Sequence, residues 1–247
     1  MTDSLAAGGE EPRHIPIASD RLTALFEVLL CSSIPTQIAI GFLLRAAGVQ
    51  PIDAAGNYSF AFVLALSLAD TVLLIALMVF LMRMHGERAS TLWLGTRPVG
   101  RELLYGLLTV PVVLISVGLL LNTLRLFAPW LHNVPTNPLE QLATTPGQAA
   151  MFALVAIVAG GVREELQRAF LLHRFEQHLG GATVGVVVLS AAFGLGHYVQ
   201  GWDAVITTGT LGAVWAVMFL KRRSSVAPVV SHAGFNSLEI VRVALSS

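Results

Sequence analysis

Hydrophobic residues occur along this chain in long continuous runs. Seven of the runs approach the roughly 20 apolar residues that a helix needs to cross the hydrocarbon core of a bilayer. In lipid, only helices and closed barrels satisfy every backbone polar group, and these runs are too long and too continuously apolar for barrel strands. The pattern therefore predicts an all-α fold, a polytopic transmembrane bundle of about seven spans. The runs cover residues 23–46, 58–82, 103–128, 147–176, 182–199, 203–220 and 226–245.

A few residues inside these runs predict bends or breaks in the helices. Pro35 and Pro111 lie within the first and third runs, and because proline lacks a backbone N–H we expect a kink at each. The fourth run becomes charged halfway along its length. We expect it either to project beyond the bilayer or to break at Gly160 and Gly161.

The domain organisation is simple. Residues 1–22 are polar and contain several Gly and Pro residues, which predicts a flexible N-terminal tail. The remainder, 23–247, is of a usual size for one domain and is expected to form a single transmembrane domain. No internal repeat is visible, whereas a transporter built from inverted repeats would ordinarily show symmetry between its halves.

Composition strengthens the assignment to a membrane. The chain is 55% hydrophobic and 12% charged, whereas soluble domains contain roughly 25% charged residues. Its formal net charge is zero, so it lacks the basic surface that binding to nucleic acid requires. Cys31 is the only cysteine, which excludes an intramolecular disulfide and a cluster of thiolate ligands.

Arginine and lysine in the short loops indicate an orientation in the membrane. Four arginines lie between the second and third runs, and the sequence "KRR" lies at 221–223, whereas residues 129–148 contain neither Arg nor Lys. By the positive-inside rule the N-terminus and the two basic loops are cytoplasmic. The excess of Arg over Lys and the many alanines favour a bacterial plasma membrane, with lipids as the immediate partners.

Two glutamates inside the fourth run are the first candidates for function. An ionisable group in a spanning segment costs about 2.5–3.5 kcal/mol on insertion scales, so such a group is kept for a reason. Glu164 lies four residues before Arg168 and Glu165 three residues before it, so Arg168 can pair with either carboxylate. The other carboxylate would be free to act as a general base. Alternatively, Glu165 and Arg163 lie at the membrane surface and terminate the helix.

Two later runs carry histidines. His197 follows Phe193 by four residues, and the neighbouring glycines let another helix approach closely. His232 and Asn236 are four apart and share a helix face, from which both can address one oxygen of a water or an oxyanion. The alternatives are a solvated histidine at a helix end and plain hydrogen bonding between helices. Convergence of these groups on the glutamates predicts a polar cavity, formed by the last four runs, in which water is activated for hydrolysis.

Three motifs resemble those of a known family. "EELQRAFLL", "FGLGH" and "HAGFN" are similar to the motifs of the CPBP family, the CAAX prenyl proteases and bacteriocin-processing enzymes also called Abi, and the resemblance covers residues 147–245. The second and third motifs match fully. In the first, two residues separate Glu165 from Arg168 where the family has three. Either the Glu pair aligns with the family, or Arg168 does, in which case Arg163 takes the place of the catalytic glutamate.

The resemblance implies a glutamate-dependent intramembrane endopeptidase that uses no metal and no cofactor, with a peptide or a membrane protein as substrate. Its bundle would surround a conical cavity open to the membrane and to the cytosolic side. By carry-over, Glu164 is the base with Glu165 in reserve, His197 assists, His232 and Asn236 form the oxyanion hole, and Arg168 and Phe193 are supporting residues.

Other classes of function remain open at this stage. The altered first motif is compatible with a noncatalytic membrane scaffold or an immunity protein. Glu, His and Asn side chains also suit a divalent ion, as in a metal-dependent membrane hydrolase. Ser190 and Ser231 lie near the histidines in sequence and leave a weaker serine–histidine alternative.

Overall fold

The computed structural model of the protein describes residues 18–246, and this part of the chain is helical almost throughout. Its only strand-like pairing is one antiparallel bridge between Ile52 and Tyr58, so the predicted all-α class is confirmed. Most of the tail predicted for residues 1–22 lies outside the described residues. In chain order the helices are α1 (Ala18–Leu30), α2 (Ile34–Ala46), α3 (Phe60–Met84), α4 (Ala89–Leu94), α5 (Val99–Phe127), α6 (Pro146–Val155), α7 (Glu164–His178), α8 (Ala182–Leu195), α9 (Trp202–Arg222) and α10 (Val226–Ser246).

Four segments of the described chain are long and apolar enough to cross a membrane: Ala18–Ala46, Phe60–Met84, Val99–Phe127 and Trp202–Arg222. Helix α8 is apolar but only 14 residues long. The spans predicted at 147–176, 182–199 and 226–245 therefore stay predictions. Large apolar side chains on α5, among them Leu107, Val112 and Ile115, are exposed, as expected for a helix that faces lipid rather than water.

The first apolar run contains a break where a kink was predicted. Helix α1 ends at Leu30 and α2 begins at Ile34, with Ser33 in the left-handed conformation at φ 70°. Pro35 lies in the first turn of α2, where its missing N–H is tolerated. Because Pro35 cannot donate to the carbonyl of Cys31, that oxygen is free to accept the Gln167 side chain of α7, at 2.7 Å. The break is thus a docking point for α7. Helix α5, by contrast, continues through Pro111.

The fourth run neither stops nor breaks at its glycines. A π-helix, Ala156–Arg163, joins α6 to α7 as one continuous rod. A π-helix bonds each N–H to the carbonyl five residues earlier, so it is wider than an α-helix, and such segments are frequent at functional sites. Of the two alternatives for this run, the break at Gly160 and Gly161 is wrong, and the projection beyond the bilayer stays a prediction.

Helix α7 is the most buried helix of the bundle. Its apolar residues Ala169, Phe170 and Leu172 are fully buried and pack against α3, α4, α8 and α9. Helices α8 and α9 lie against each other at a glycine contact, where a Cβ on Gly194 would come within 2.5 Å of the Val205 carbonyl oxygen. Helix α10 packs along α5 and the π-helix. This arrangement holds the charged start of α7 against the polar face of α10.

Candidate active site

Two glycines of the π-helix allow α10 to approach closely. A Cβ on Gly160 would lie 2.5 Å from Nδ2 of Asn236, and a Cβ on Gly161 would lie 2.6 Å from the Cβ of Ala233. Both distances are shorter than any normal contact between heavy atoms. The glycines are therefore what brings His232 and Asn236 of α10 beside the two glutamates that follow the π-helix.

Glu165 is buried and held on both sides. Its Oε1 accepts hydrogen bonds from Nη1 of Arg168 and, at 2.8 Å, from Nδ1 of His232. Its Oε2 has no hydrogen-bond partner among residues 18–246. Arg168 is fixed in turn, because its guanidinium lies over the ring of Phe193 at 4.6 Å, close enough for a cation–π contact. The sequence allowed Arg168 to pair with either Glu164 or Glu165, and in the structure it pairs with Glu165.

His232 lies between the two glutamates. Its ring stacks on Trp215 with the centroids 3.7 Å apart and the planes at 16°. Because a carboxylate can only accept, the bond to Glu165 places a hydrogen on Nδ1. The other ring nitrogen, Nε2, faces Oε2 of Glu164 at 3.9 Å. That separation is too long for a direct hydrogen bond.

Glu164 differs from Glu165 in its surroundings. Its side chain is 20% exposed and lines an internal cavity, which the side chain of Glu165 does not. Its Oε1 accepts a hydrogen bond from Nη2 of Arg163 at 3.2 Å. The sequence predicted that the carboxylate not paired with Arg168 would be free. Glu164 is instead bonded to Arg163, but its second oxygen, Oε2, faces His232.

Arg163 was expected at a helix boundary and is instead buried inside the bundle. Its Nη1 donates to the Ser33 hydroxyl at 2.7 Å and to the Gln167 side chain at 3.2 Å, and lies 3.7 Å from Asp70. The alternative in which Glu165 and Arg163 sit at the surface and terminate the helix is wrong. Sequence analysis missed this role of Arg163. The available signal was Asp70, the only charged residue in its apolar run, since a buried charge requires a partner.

His197 stands just beyond the end of α8. Its Nδ1 bonds the carbonyl oxygen of Phe193 at 2.8 Å, and the two rings meet edge to face with centroids 5.0 Å apart. Because a carbonyl only accepts, Nδ1 carries the hydrogen and Nε2 of the neutral ring is an acceptor. His197 lines the same cavity as Glu164. Within the described residues it makes no hydrogen bond to either glutamate.

Asn236 completes the group on α10, one helical turn after His232. Its Nδ2 makes a long hydrogen bond of 3.4 Å to the carbonyl oxygen of Ala156 in the π-helix. The amide lines the cavity, and its second N–H is not used by this bond.

The cavity around these groups has a volume of about 510 Å³, in the range of ligand-binding sites. Glu164, His197, His232 and Asn236 all line it. Its walls come from the last four predicted runs, as expected, but also from α3 and α5 and from residues 132–140 between α5 and α6. Four of the five candidate residues thus line one cavity. The fifth, Glu165, does not line it and is bonded to His232, which does.

Two rival chemistries can be compared with this geometry. Among residues 18–246 no group of three His, Cys, Asp or Glu side chains is placed to hold a metal ion, and Arg163 and Arg168 would oppose a cation beside the glutamates. Ser231 accepts a hydrogen bond from Nε1 of Trp215 at 3.2 Å. Ser190 is buried with no hydrogen-bond partner in the described chain. Among the residues that the structure describes, neither serine is bonded to a histidine.

Fold and site together define a helical membrane protein with a polar cavity inside its bundle. Residues 145–238 match the family described as type II CAAX prenyl endopeptidase Rce1-like. Residues 145–238 thus form an Rce1-like domain of the CPBP family, which confirms the predicted resemblance. Together with the four apolar helices, this domain supports an integral membrane protein of the CAAX-protease type. All five candidate residues lie within the matched segment. No curated protein and no solved structure matches the chain.

Proposed function

We propose that the protein is an intramembrane endopeptidase in which Glu164 activates a water molecule for attack on a peptide bond. The observation that carries this proposal is the 3.9 Å gap between Glu164 Oε2 and His232 Nε2 at the cavity wall. Two polar atoms at this separation suit a bridging water better than a direct bond. Glu165 is unsuited to the role, because it is buried against Arg168 and His232 away from the cavity.

The chemistry requires a base, an oxyanion site and a proton for the leaving group. Glu164 takes a proton from water, the oxygen of that water bonds to the carbonyl carbon, and the C–N bond breaks as Glu164 returns the proton to the amine. Asn236 donates from its free N–H to the developing oxyanion, and His232 donates from Nε2 when its ring is protonated. His197 presents an acceptor nitrogen to the same cavity and assists by orienting the water or the substrate.

Glu165 and Arg168 act as positioning residues. The Glu165 carboxylate fixes the hydrogen of His232 on Nδ1 and the orientation of the ring, as the carboxylate of a serine-protease triad does for its histidine. Arg168 balances the charge of Glu165. This arrangement agrees with the alignment in which the Glu pair, and not Arg168, keeps the family register.

We further propose, from the loop charges, that the N-terminus is cytoplasmic and that the membrane is a bacterial plasma membrane. Residues 23–247 then act as one transmembrane domain, and the partners are lipids and a peptide or membrane-protein substrate. The mechanism uses neither a metal nor a cofactor, and the chain has no role with nucleic acid.

A noncatalytic membrane scaffold, such as an immunity protein, is the second candidate function. It is favoured by one contact, the hydrogen bond of 3.2 Å from Arg163 to Glu164. If this bond holds the carboxylate permanently, the bundle keeps the family's shape without its hydrolysis.

Hydrolysis by the purified protein in proteoliposomes decides between these functions. Peptides and membrane proteins of the host are supplied as a mixture, and new termini are identified by mass spectrometry. We expect cleavage by the wild type and a loss of about 10²- to 10⁴-fold in Glu164→Gln, with no loss in the control Glu176→Gln, whose side chain pairs with Arg223 outside the site. Cleavage that a chelator abolishes would support a metal hydrolase, and no cleavage by the wild type would support the scaffold.

A further inference from the structure

The cavity lies in one half of the bundle. It is lined by Val63 and Ser67 near the start of α3, and by Leu121 and Arg125 near the end of α5. On the other side its walls come from the first half of α9 and from α10 after His232. Because adjacent helices run in opposite directions, the start of α3 and of α9 and the end of α5 and of α10 lie at the same end of the bundle. Residues 128–145 connect helices at that end.

The cavity reaches the surface at this end. Arg125 and Arg242 line it, and their side chains are 52% and 60% exposed. We call the surrounding polar groups the mouth. They are Arg125, His132, Asn137, Glu140 and Arg242.

The mouth is polar and partly prearranged. His132 bonds Asp203 at 2.7 Å, while Asn137 bonds Gln200 at 3.3 Å. Arg125 stands 3.8 Å from Asp203, so its guanidinium keeps most of its donors for another acceptor. Farther in, Val117, Leu121 and Leu211 give the walls an apolar character. A site of this kind suits a segment with a polar end at the surface and apolar side chains within.

The opposite end of the bundle carries more basic residues than the end with the mouth. Helix α3 ends, α5 begins and α9 ends there, and with their loops they contribute Arg83, Arg88, Arg97, Arg101 and residues 221–223. The end with the mouth carries Arg45, Arg125 and Arg242. By the positive-inside rule the end rich in Arg and Lys is cytoplasmic. The mouth therefore belongs to the other side of the membrane.

We propose that the site takes its substrate from the noncytoplasmic side, and that this substrate is a polypeptide segment at that membrane boundary with a polar end and an apolar stretch. This inference rests on the proposed function for the cleavage itself, but it names where the substrate comes from. It differs from the cytosolic opening that the family resemblance implies, because a substrate confined to the cytoplasm cannot reach this mouth.

Thiol labelling tests the inference without any need for activity. In a Cys31→Ala background, Thr208→Cys places a thiol on the cavity wall, and Thr210→Cys places one on the exposed side of the same helix. Two residues along a helix are about 200° apart around its axis. We expect a membrane-impermeant maleimide added from the noncytoplasmic side to label Thr208→Cys at least about tenfold faster than Thr210→Cys, since only a thiol in water ionises and reacts.

Pro135→Cys between α5 and α6 and Ser90→Cys in α4 report the two sides of the membrane, and Ser67→Cys on α3 is a second probe of the cavity wall. Faster labelling of Thr208→Cys and Ser67→Cys from the cytoplasmic side, or no labelling from either side, would overturn the inference. Adding Glu164→Gln should leave the labelling unchanged. A protein without hydrolysis but with this labelling would disprove the proposed function and not the direction of access.

Discussion

The two ends of helix α7 carry the same kinds of residue in different arrangements. At the C-terminal end, Arg174 bonds Glu27 of α1 and both oxygens of Glu87, and His85 bonds the remaining oxygen of Glu27 at 2.6 Å. Every carboxylate oxygen there has a direct partner. At the N-terminal end, Oε2 of Glu164 faces a histidine nitrogen at 3.9 Å at the wall of the cavity.

The difference separates a structural use of charge from a chemical one. Directly bonded ions hold helices in place, because breaking one side of a buried pair leaves an uncompensated charge at a cost of about 3–5 kcal/mol. A carboxylate and an imidazole that face each other without touching leave room for a reactant. Within the N-terminal cluster itself, Glu165 has the structural use, because Arg168 and His232 bond it directly. Glu164 has the chemical use, because one of its oxygens faces His232 across a gap.

The largest effect on stability is expected from Arg168. Replacing it by Met leaves the buried Glu165 carboxylate without its cation, so the free energy of unfolding in detergent should fall by about 3–5 kcal/mol. Arg242→Met removes an exposed pair with Glu239 at 2.9 Å and should cost about 0–1 kcal/mol. Equal effects of the two substitutions would mean that the N-terminal cluster is solvated.

The proposed oxyanion donor is expected to affect the rate and not the stability. Asn236→Ala should lower kcat by about 10²- to 10³-fold, the usual loss for one such donor. Ser237→Ala is the matched control, since its hydroxyl bonds the carbonyl oxygen of Ala233 on the same helix. A similar kcat for Asn236→Ala and the wild type would remove Asn236 from the site.

The C-terminal end of α7 should respond to acid. Burial raises the pKa of Glu87, but hydrogen bonds from His173 and Arg174 outweigh it and lower this pKa from 4.5 to about 2. A carboxylate with a lowered pKa in the folded state stabilises the protein above its unfolded pKa, and this contribution is lost as the pH falls from about 4.5 toward 2. It amounts to at most about 3 kcal/mol. Thermal unfolding of wild type and Glu87→Gln should differ at pH 6 and converge near pH 2, and a constant difference would contradict the structural role.

The glycine contact of the π-helix allows a smaller test. Gly161→Ala places a Cβ against Ala233, which should cost about 1–3 kcal/mol of stability as α10 moves away. The rate of hydrolysis should fall as well, because His232 and Asn236 move with α10. Gly118→Ala is the control, since nothing lies within 4 Å of the added atom. It should leave the rate unchanged and raise stability by at most about 1 kcal/mol, the gain in helix propensity that both substitutions share. Normal hydrolysis by Gly161→Ala would show that the close approach is not required.

The parts of the fold that the sequence predicted well are those with local causes. Helices α3, α5 and α9 follow the apolar runs within a few residues, because a lipid-facing helix must be apolar over its whole length. The break before Pro35 and the π-helix have distant causes. At the break, the free carbonyl oxygen of Cys31 accepts a hydrogen bond from Gln167 of α7. The π-helix packs through Gly160 and Gly161 against side chains of α10.

The sequence could name residues of the candidate site but could not predict how they are arranged. Spacing alone made Glu164 and Glu165 equal partners for Arg168, since residues three and four apart both meet on a helix. The choice of Glu165 depends on His232, which supplies a second donor to the same oxygen. Arg163 appeared to be a boundary residue, because its partners Ser33 and Asp70 come from other helices.

The most direct test of the central claim compares Glu164→Gln with Glu165→Gln in one preparation, measuring both hydrolysis and unfolding. Glu164→Gln should lose about 10²- to 10⁴-fold in rate. Its stability should fall by no more than about 1 kcal/mol, because Arg163 keeps Asp70, Ser33 and Gln167 as partners. Glu165→Gln should lose about 3–5 kcal/mol of stability, because Arg168 is then buried without its counter-ion. Full activity in Glu164→Gln, or the same loss of stability in both variants, would contradict the assignment of one glutamate to chemistry and the other to structure.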